Sequence, residues 1–405
     1  MKIVWVCNVE LPLISELCNT PINPIGGWLD ETSRRLLSDG NELLILYRTN
    51  RKKTGNTGKM KFIGFTEVDD VIEEQIASFF PDIIHIWGTE YKHSFDIINY
   101  CKNINFSKIV ISIQGMVSVY GKFHYYANLP IDIIYGFSIR DIIRKDNVYL
   151  GRKRFIEQGK YEIAAIQNVN NIIGRTRWDY ACARLINKNV TYYKCNEILR
   201  KTFYKGKWEA DKCEKHSIFF SQCHYPIKGF HIALTAFKYL VGYYPDLKVY
   251  VVGRDLNTIP FYKISLYQKY LLKIIKMHGL EDNIIFCGQL SAEEMRQKYL
   301  NCNVFVCASS VENSSNSIGE AMLLGCPIVA SNVGGIGDLL CDEEDGFLYP
   351  FDEPYMLAYY VNKIFASDEL ASKLSLNCQK HAKATHNEDD NYHNMIRIYR
   401  TIIES

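Results

Sequence analysis

Along the chain, short runs of apolar and β-branched residues alternate with amphipathic stretches. Lys2–Cys7 (KIVWVC), Asn41–Tyr47, Asp82–Trp87 (DIIHIW), Lys108–Ile113 (KIVISI) and Asn171–Gly174 predict strands, and Trp28–Ser38 predicts a helix. After Gly174, Thr176 is placed to cap a helix, with Asp179 three residues on, near the positive end of the dipole. The polar stretch 201–215 holds no periodicity and reads as a linker. The alternation then restarts, with strands expected at Ser217–Ser221, Leu247–Val252, Asn283–Cys287, Val304–Ala308 and Pro327–Ser331. A last helix, from about Asn391 to Glu404, is apolar at Met395, Ile396, Ile398, Tyr399 and Ile402.

Strands apolar on both faces and separated by helices imply parallel sheets covered on both sides. The fold class is therefore α/β, with two doubly wound, Rossmann-like domains in series. The expected division is 1–200, a linker 201–215, a second domain 216–388, and a terminal helix 389–405 packing back on the first. Ligands of such sheets sit beyond the carboxyl ends of the strands, so two facing sheets would place a site in the cleft between them.

A chain of 405 residues with 47% hydrophobic and 23% charged residues has ample core for two domains, which excludes disorder. A net charge of +2 argues against a general nucleic-acid binder. That total is a cancellation, since residues 1–200 carry +5 and residues 201–405 carry −3. The excess concentrates between Ile134 and Lys160, where Arg140, Arg144, Lys145, Arg152, Lys153, Arg154 and Lys160 face Asp141, Asp146 and Glu157. Two readings stand: a surface for anionic lipid headgroups or an acceptor diphosphate, or a solvated basic loop. The thirteen cysteines form no C-x-x-C pair and fit buried, reduced thiols of a cytoplasmic protein, soluble or peripheral at the inner face of a membrane. Met1–Pro12 reads as a first strand rather than a signal peptide, and no apolar run approaches membrane-spanning length.

The densest chemistry lies in Ser309–Leu340, SSVENSSNSIGEAMLLGCPIVASNVGGIGDLL. Glu312 falls on the loop after a buried strand. Glu320 falls in the first turns of a helix capped by Asn316 or Ser317 and terminated by Gly325 and Pro327. Such a loop aims a carboxylate and unpaired backbone N–H groups at a common point, which suits a phosphate, while a second carboxylate suits the paired hydroxyls of a ribose.

This block resembles the family-4 retaining glycosyltransferases of the GT-B fold, with two glutamates separated by seven residues followed by E-A-M, G-x-P and G-G. Glu312 through Glu320, then Ala321, Met322, Gly325, Pro327, Ser331, Gly334 and Gly335 match it. Further matches are Gly26-Gly27 before the first helix, Gly40-Asn41-Glu42, Lys228-Gly229, and Phe286-Cys287-Gly288-Gln289-Leu290. The resemblance implies roles. Glu320 would hold ribose, the amides of Asn316, Ser317 and Ile318 with Lys228 the phosphates, and the loop at Gln289 and Leu290 the base. Glu312 would hold the donor sugar or stabilise charge at its anomeric carbon, and Gly26 and Gly27 would approach the donor phosphate or acceptor.

Departures from the family pattern are equally specific. No arginine precedes Lys228 in FFSQCHYPI, so Gln222 is left as a neutral donor to the diphosphate or Arg254 as the source of charge, and Gln114 stands where the family often has a histidine. His85, with Glu90 close by, is a candidate acceptor contact or a structural histidine; Arg175, ahead of Glu197 and Arg200, is a candidate contact or an interdomain ion pair. The acidic run Asp342–Asp345 reads as solvated.

The resemblance therefore implies a retaining glycosyltransferase with a nucleoside-diphosphate sugar as co-substrate and a glycan or lipid-linked acceptor. No cofactor and no metal are expected, because lysine and a helix terminus suffice for the phosphates. Polysaccharide synthesis is the expected setting. A nucleotide-sugar epimerase on the same fold and a non-catalytic sugar-binding protein are the alternatives. The absence of G-x-G-x-x-G after the first strand speaks against a nicotinamide dehydrogenase.

Overall fold

Fourteen strands are found in two separate sheets of the computed structural model, which describes residues 1–21, 26–51 and 53–405. The chain divides into two units. Residues 1–118, 157–200 and 386–405 form unit 1, and residues 119–156 and 201–385 form unit 2.

Unit 1 carries β1 (Lys2–Cys7), β2 (Glu42–Arg48), β3 (Thr54–Asn56), β4 (Met60–Phe65), β5 (Ile83–Trp87), β6 (Ile109–Ser112), β7 (Asn171–Gly174) and β8 (Thr191–Lys194). Their order is β3-β4-β2-β1-β5-β6-β7-β8, parallel except for the β3–β4 pair at the edge. β1, β2 and β5 are central, and nearly every residue in them is buried, which is why they read as continuous apolar runs rather than alternating ones. The Thr176–Asp179 signal becomes a reciprocal capping box at the start of helix Arg177–Ile186. The terminal helix Glu388–Glu404 belongs to unit 1 and buries Tyr392, Met395, Ile398, Tyr399 and Ile402.

Unit 2 carries β9 (Glu214–Phe220), β10 (Lys248–Val251), β11 (Ile284–Phe286), β12 (Cys302–Cys307), β13 (Ile328–Ser331) and β14 (Phe347–Tyr349). They form an all-parallel sheet in the order β11-β10-β9-β12-β13-β14, so β9 and β12 lie side by side at its centre. Each is followed by a loop and a helix, as the parallel arrangement requires.

Two expectations about organisation are corrected. Stretch 201–215 is no linker. Phe203 and Trp208 are fully buried, and the Trp208 amide and indole donate to the Leu324 and Cys302 carbonyls, each at 2.7 Å. Residues 119–156, assigned by chain order to the first domain, pack with unit 2. This moves the basic segment, leaving 21 Lys and Arg against 22 Asp and Glu in unit 1 and 26 against 23 in unit 2. All thirteen cysteines are free thiols. Among the described residues no helix is long and apolar enough to cross a membrane.

Candidate functional site

The carboxyl-terminal edge of the unit 2 sheet gathers most of the candidate residues. After β9 the chain makes a short turn, Pro226–Lys228, and enters helix Phe230–Tyr243 through Gly229. Gly229 has φ +67°, and a Cβ there would lie 1.7 Å from the Ala308 carbonyl oxygen, so only glycine lets the two loops touch. That contact sets Lys228 against the loop following β12.

In that loop Glu312 accepts an ion pair from Lys228 Nζ and a hydrogen bond from Ser309 Oγ at 2.9 Å, both on Oε1. Its Oε2 has no hydrogen-bond partner among the described residues. Ser331 Oγ fixes the base of the loop by donating to the Ser309 carbonyl at 2.6 Å. The Gly335 amide donates to the Glu312 carbonyl at 2.9 Å, and Gly334, at φ +54°, leaves room for that carbonyl where a Cβ would stand 2.0 Å away. Burial works against the Lys228 charge, but the neighbouring Glu312 carboxylate outweighs it and raises the lysine pKa, so Lys228 is a permanent cation.

The site helix is Asn316–Leu324, with Ser315 as its N-cap residue. Ser315 makes no side-chain cap and instead meets Ser317 Oγ at 2.9 Å, so the first-turn amides are not closed off by it. The sequence reading placed the cap one or two residues later. Glu320 is buried one turn into the helix. The Ile318 expectation is corrected, because its amide already donates to the Ser315 carbonyl at 3.1 Å and its side chain is fully buried. Asn316 and Ser317 remain as the first-turn residues.

Further along the same edge, Gly253 and Gly288 exchange hydrogen bonds at 2.9 and 3.0 Å, clipping together the loops after β10 and β11. Arg254 and Gln289, each next after one of these glycines, are exposed, and Leu290 is half-buried.

The remaining candidates belong to unit 1. Gly26 precedes helix Gly27–Ser38 and sits against the Glu10 carbonyl, 2.7 Å from where a Cβ would be; Gly27 lies beside the Arg200 stem. Gln114 Nε2 donates to Glu197 Oε1 at 2.8 Å, and Arg175 pairs with Glu197 Oε2 at 2.8 Å and reaches the Gln114 carbonyl at 3.3 Å. Arg175 and Glu197 are thus an ion pair inside unit 1, correcting the interdomain alternative.

His85 is corrected too. It is fully buried, with Nδ1 at 2.5 Å from the Tyr399 hydroxyl and Nε2 at 2.7 Å from Ser112 Oγ, and its ring stacks on Trp87. Burial lowers its pKa well below the usual imidazole range, so it is neutral and has no nitrogen left for a substrate.

Ser309, which orients Glu312, carries no signal of its own in the sequence, and Glu90 stands out there only as a neighbour of His85. Glu90 follows β5, accepts from Asn8 Nδ2 at 3.3 Å, and is pushed up to about 7, chiefly by burial and also by Glu162. The acidic run is corrected at one residue. Asp345 is buried, accepting the Cys341 amide at 2.7 Å and facing His381 Nδ1 at 2.5 Å. Ligand atoms of Cys341, Asp345 and His381 all lie within 4.8 Å of one another.

Residues 201–381 match the sequence profile of glycosyl transferases group 1. YtcC of Bacillus subtilis is 27% identical over 188 residues, 46% of this chain and 44% of that one. The capsular polysaccharide biosynthesis glycosyltransferase CapM of Staphylococcus aureus is 24% identical over 179 residues, 44% of each. The match thus spans less than half the length of these relatives. Among solved structures, a sucrose-phosphate synthase from Thermosynechococcus elongatus superimposes with TM-score 0.75 at 16% identity, covering 100% of both chains. Anabaena HepE, in complex with UDP-glucose, gives TM-score 0.67 at 15% identity, covering 99% of this chain and 100% of that one. The fold is therefore theirs: two Rossmann-like units of the GT-B class.

Proposed function

We propose that the protein is a retaining glycosyltransferase that moves a sugar from a nucleoside-diphosphate donor to a hydroxyl of a glycan or lipid-linked acceptor. One observation carries the reading. The Lys228–Glu312 pair stands on the loops of the two central strands, β9 and β12, beside a helix whose amino terminus has no side-chain cap and which buries Glu320 in its second turn. Uridine is the base favoured by the HepE complexes with UDP and UDP-glucose. The CapM match favours polysaccharide synthesis as the setting.

In this reading Lys228 and the first-turn amides of Asn316 and Ser317 take the diphosphate, and Glu320 takes the ribose hydroxyls. Arg254 and Gln289, on the clipped loops, face the nucleotide. Before a donor arrives, Lys228 and Glu312 neutralise each other. A phosphate draws the ammonium away and frees the carboxylate for the sugar, where it stabilises positive charge developing at the anomeric carbon. The bond from that carbon to the diphosphate oxygen breaks, the bond to the acceptor oxygen forms on the same face, and the leaving phosphate takes the acceptor proton. Lysine supplies the counter-charge that a divalent ion supplies elsewhere, so transfer proceeds without metal.

A thermal-shift panel of uridine, guanosine, adenosine and thymidine diphosphates and their sugars tests the donor site. A ligand at about a hundred times its Kd stabilises the protein by roughly 2.7 kcal/mol. Glu320→Ala should abolish that shift at the same concentration. Glu312→Gln should keep the shift and lower turnover on the order of a hundredfold or more. No shift with any nucleotide, or both variants behaving as the parent, would refute the assignment.

A further inference from the structure

Helix Ile139–Arg144 is inside out. It opens with a reciprocal capping box between Ser138 and Asp141, and Asp141, 1% exposed, also accepts the Leu266 amide at 2.8 Å and Arg140 at 3.0 Å. Arg140 continues to Asp146 at 2.7 Å, where Arg154 joins at 3.1 Å. The polar groups thus satisfy one another on the inner side. Ile139, Ile142 and Ile143, spaced to share one helical face, are left outside, with Ile143 75% exposed.

Elements next to it in the chain or packed against it expose further apolar residues. Helix Ile131–Tyr135 turns Ile133 and Ile134 inward and exposes Ile131 (75%) and Tyr135. The turn Phe261–Lys263, which packs against helix Ile139–Arg144, exposes Phe261 (73%) and Tyr262. Scattered exposed apolar residues are ordinary, but a contiguous set on a helix whose acidic residue is buried needs an apolar partner.

Charge selects the partner. Residues 119–156 hold seven Lys and Arg against three Asp, and two of those aspartates, Asp141 and Asp146, are already paired with arginine. Arg144 and Lys145 end the inside-out helix with no ion pair among the described residues, and Lys263 and Lys269 lie over the Tyr262 and Phe261 rings. Beside this helix, a cavity of about 680 Å³ is lined by Arg140, Arg144 and Arg154 together with Asp141 and Asp146. A second copy docked by a two-fold contact would set these cations against one another.

We propose that this face of unit 2 docks on an anionic lipid bilayer, its isoleucines and aromatic rings entering the headgroup layer and its cations meeting lipid phosphates. The proposal rests on geometry and charge alone and stands apart from the transferase reading.

The test is cosedimentation of the full chain with vesicles of phosphatidylcholine alone, or of three parts phosphatidylcholine to one part phosphatidylglycerol. The protein should pellet only with the mixed vesicles, and less as salt rises. Arg144→Gln with Lys145→Gln should weaken partition about thirtyfold, from two surface charges. Ile142→Asp with Ile143→Asp should weaken it at least as much. Both pairs are exposed and should leave the thermal midpoint unchanged, and Leu185→Asp, at an exposed site in unit 1, should leave binding intact. Parent protein remaining in the supernatant with both vesicle types, or an isoleucine variant pelleting like the parent, would overturn the proposal. So would a concentration-dependent dimer in sedimentation velocity that the isoleucine variant abolishes.

Discussion

Glu90 makes unit 1 less stable at neutral than at acidic pH. Its carboxylate lies over Gly88, whose φ of +109° leaves Oε2 2.3 Å from where a Cβ would be, and Asn8, itself bonded to His93 at 2.9 Å, is its side-chain donor. Burial comes first in raising its pKa from 4.5 to about 7, with the Glu162 charge acting in the same direction. Between those values the native state holds a proton that the unfolded chain has released. Stability is therefore fully present below pH 4.5 and declines as pH rises toward 7, after which it levels off. The span from 4.5 to about 7, at ~1.36 kcal/mol per pH unit, corresponds to roughly 3 kcal/mol. Glu90→Gln imitates the protonated form and keeps an acceptor for Asn8. It should be more stable than the parent by up to roughly 3 kcal/mol at pH 8 and by under ~1 kcal/mol at pH 5. Urea unfolding followed by tryptophan fluorescence reads unit 1 selectively, because Trp5, Trp28, Trp87 and Trp178 lie there and only Trp208 lies in unit 2. A gap of equal size at both pH values, or a variant less stable than the parent at pH 8, would refute the reasoning.

Two further outcomes are expected. Tyr399→Phe removes the hydroxyl that takes the Trp5 indole N–H at 3.1 Å and meets His85 at 2.5 Å, both fully buried; urea unfolding should show a loss of about 1–3 kcal/mol per stranded group, and an unchanged midpoint would contradict it. Gly334→Ala places a methyl against the Glu312 carbonyl at a positive φ, so the Glu312 loop must move. It should cost more than ~1 kcal/mol of stability and lower turnover about as far as Glu312→Gln does, whereas an active, stable variant would show that the loop's position is unimportant.

The strands of the two sheet centres were legible because burial on both faces writes itself as unbroken apolar runs, as in KIVWVC and DIIHIW. β3, β4, β8 and β14 were not. Thr54–Asn56 is a three-residue polar edge, Met60–Phe65 is interrupted by Lys61 and Gly64, Thr191–Lys194 is an exposed edge, and Phe347–Tyr349 is three residues behind an acidic loop. The site followed the same logic. Glu312, Glu320 and Lys228 sit where strand, loop and helix patterns could place them. His85 was ambiguous because a histidine at a strand's end and one whose ring faces the core share one local sequence; its partner Tyr399 is 314 residues away. The Arg175–Glu197 pair was similarly hidden, since ion pairs across a sheet edge leave no spacing to read.

Chain order also misplaced the charge, and correcting it changes the physical picture. Counted along the sequence, the positive excess falls in the first 200 residues and the proposed donor site in the more acidic remainder. Residues 119–156 fold with unit 2, however, so the unit that holds Lys228 and the uncapped helix terminus is also the one with 26 basic against 23 acidic residues. A diphosphate and an anionic headgroup would then be drawn to the same unit rather than to opposite ones. The cations responsible differ. Lys228 is held by Glu312, and Arg140 and Arg154 by Asp141 and Asp146, whereas Arg144 and Lys145 make no such pairs among the described residues. Attraction at long range thus falls to the unpaired rim. The paired lysine has to be released by a ligand that replaces its carboxylate, and a phosphate in contact with it is such a ligand.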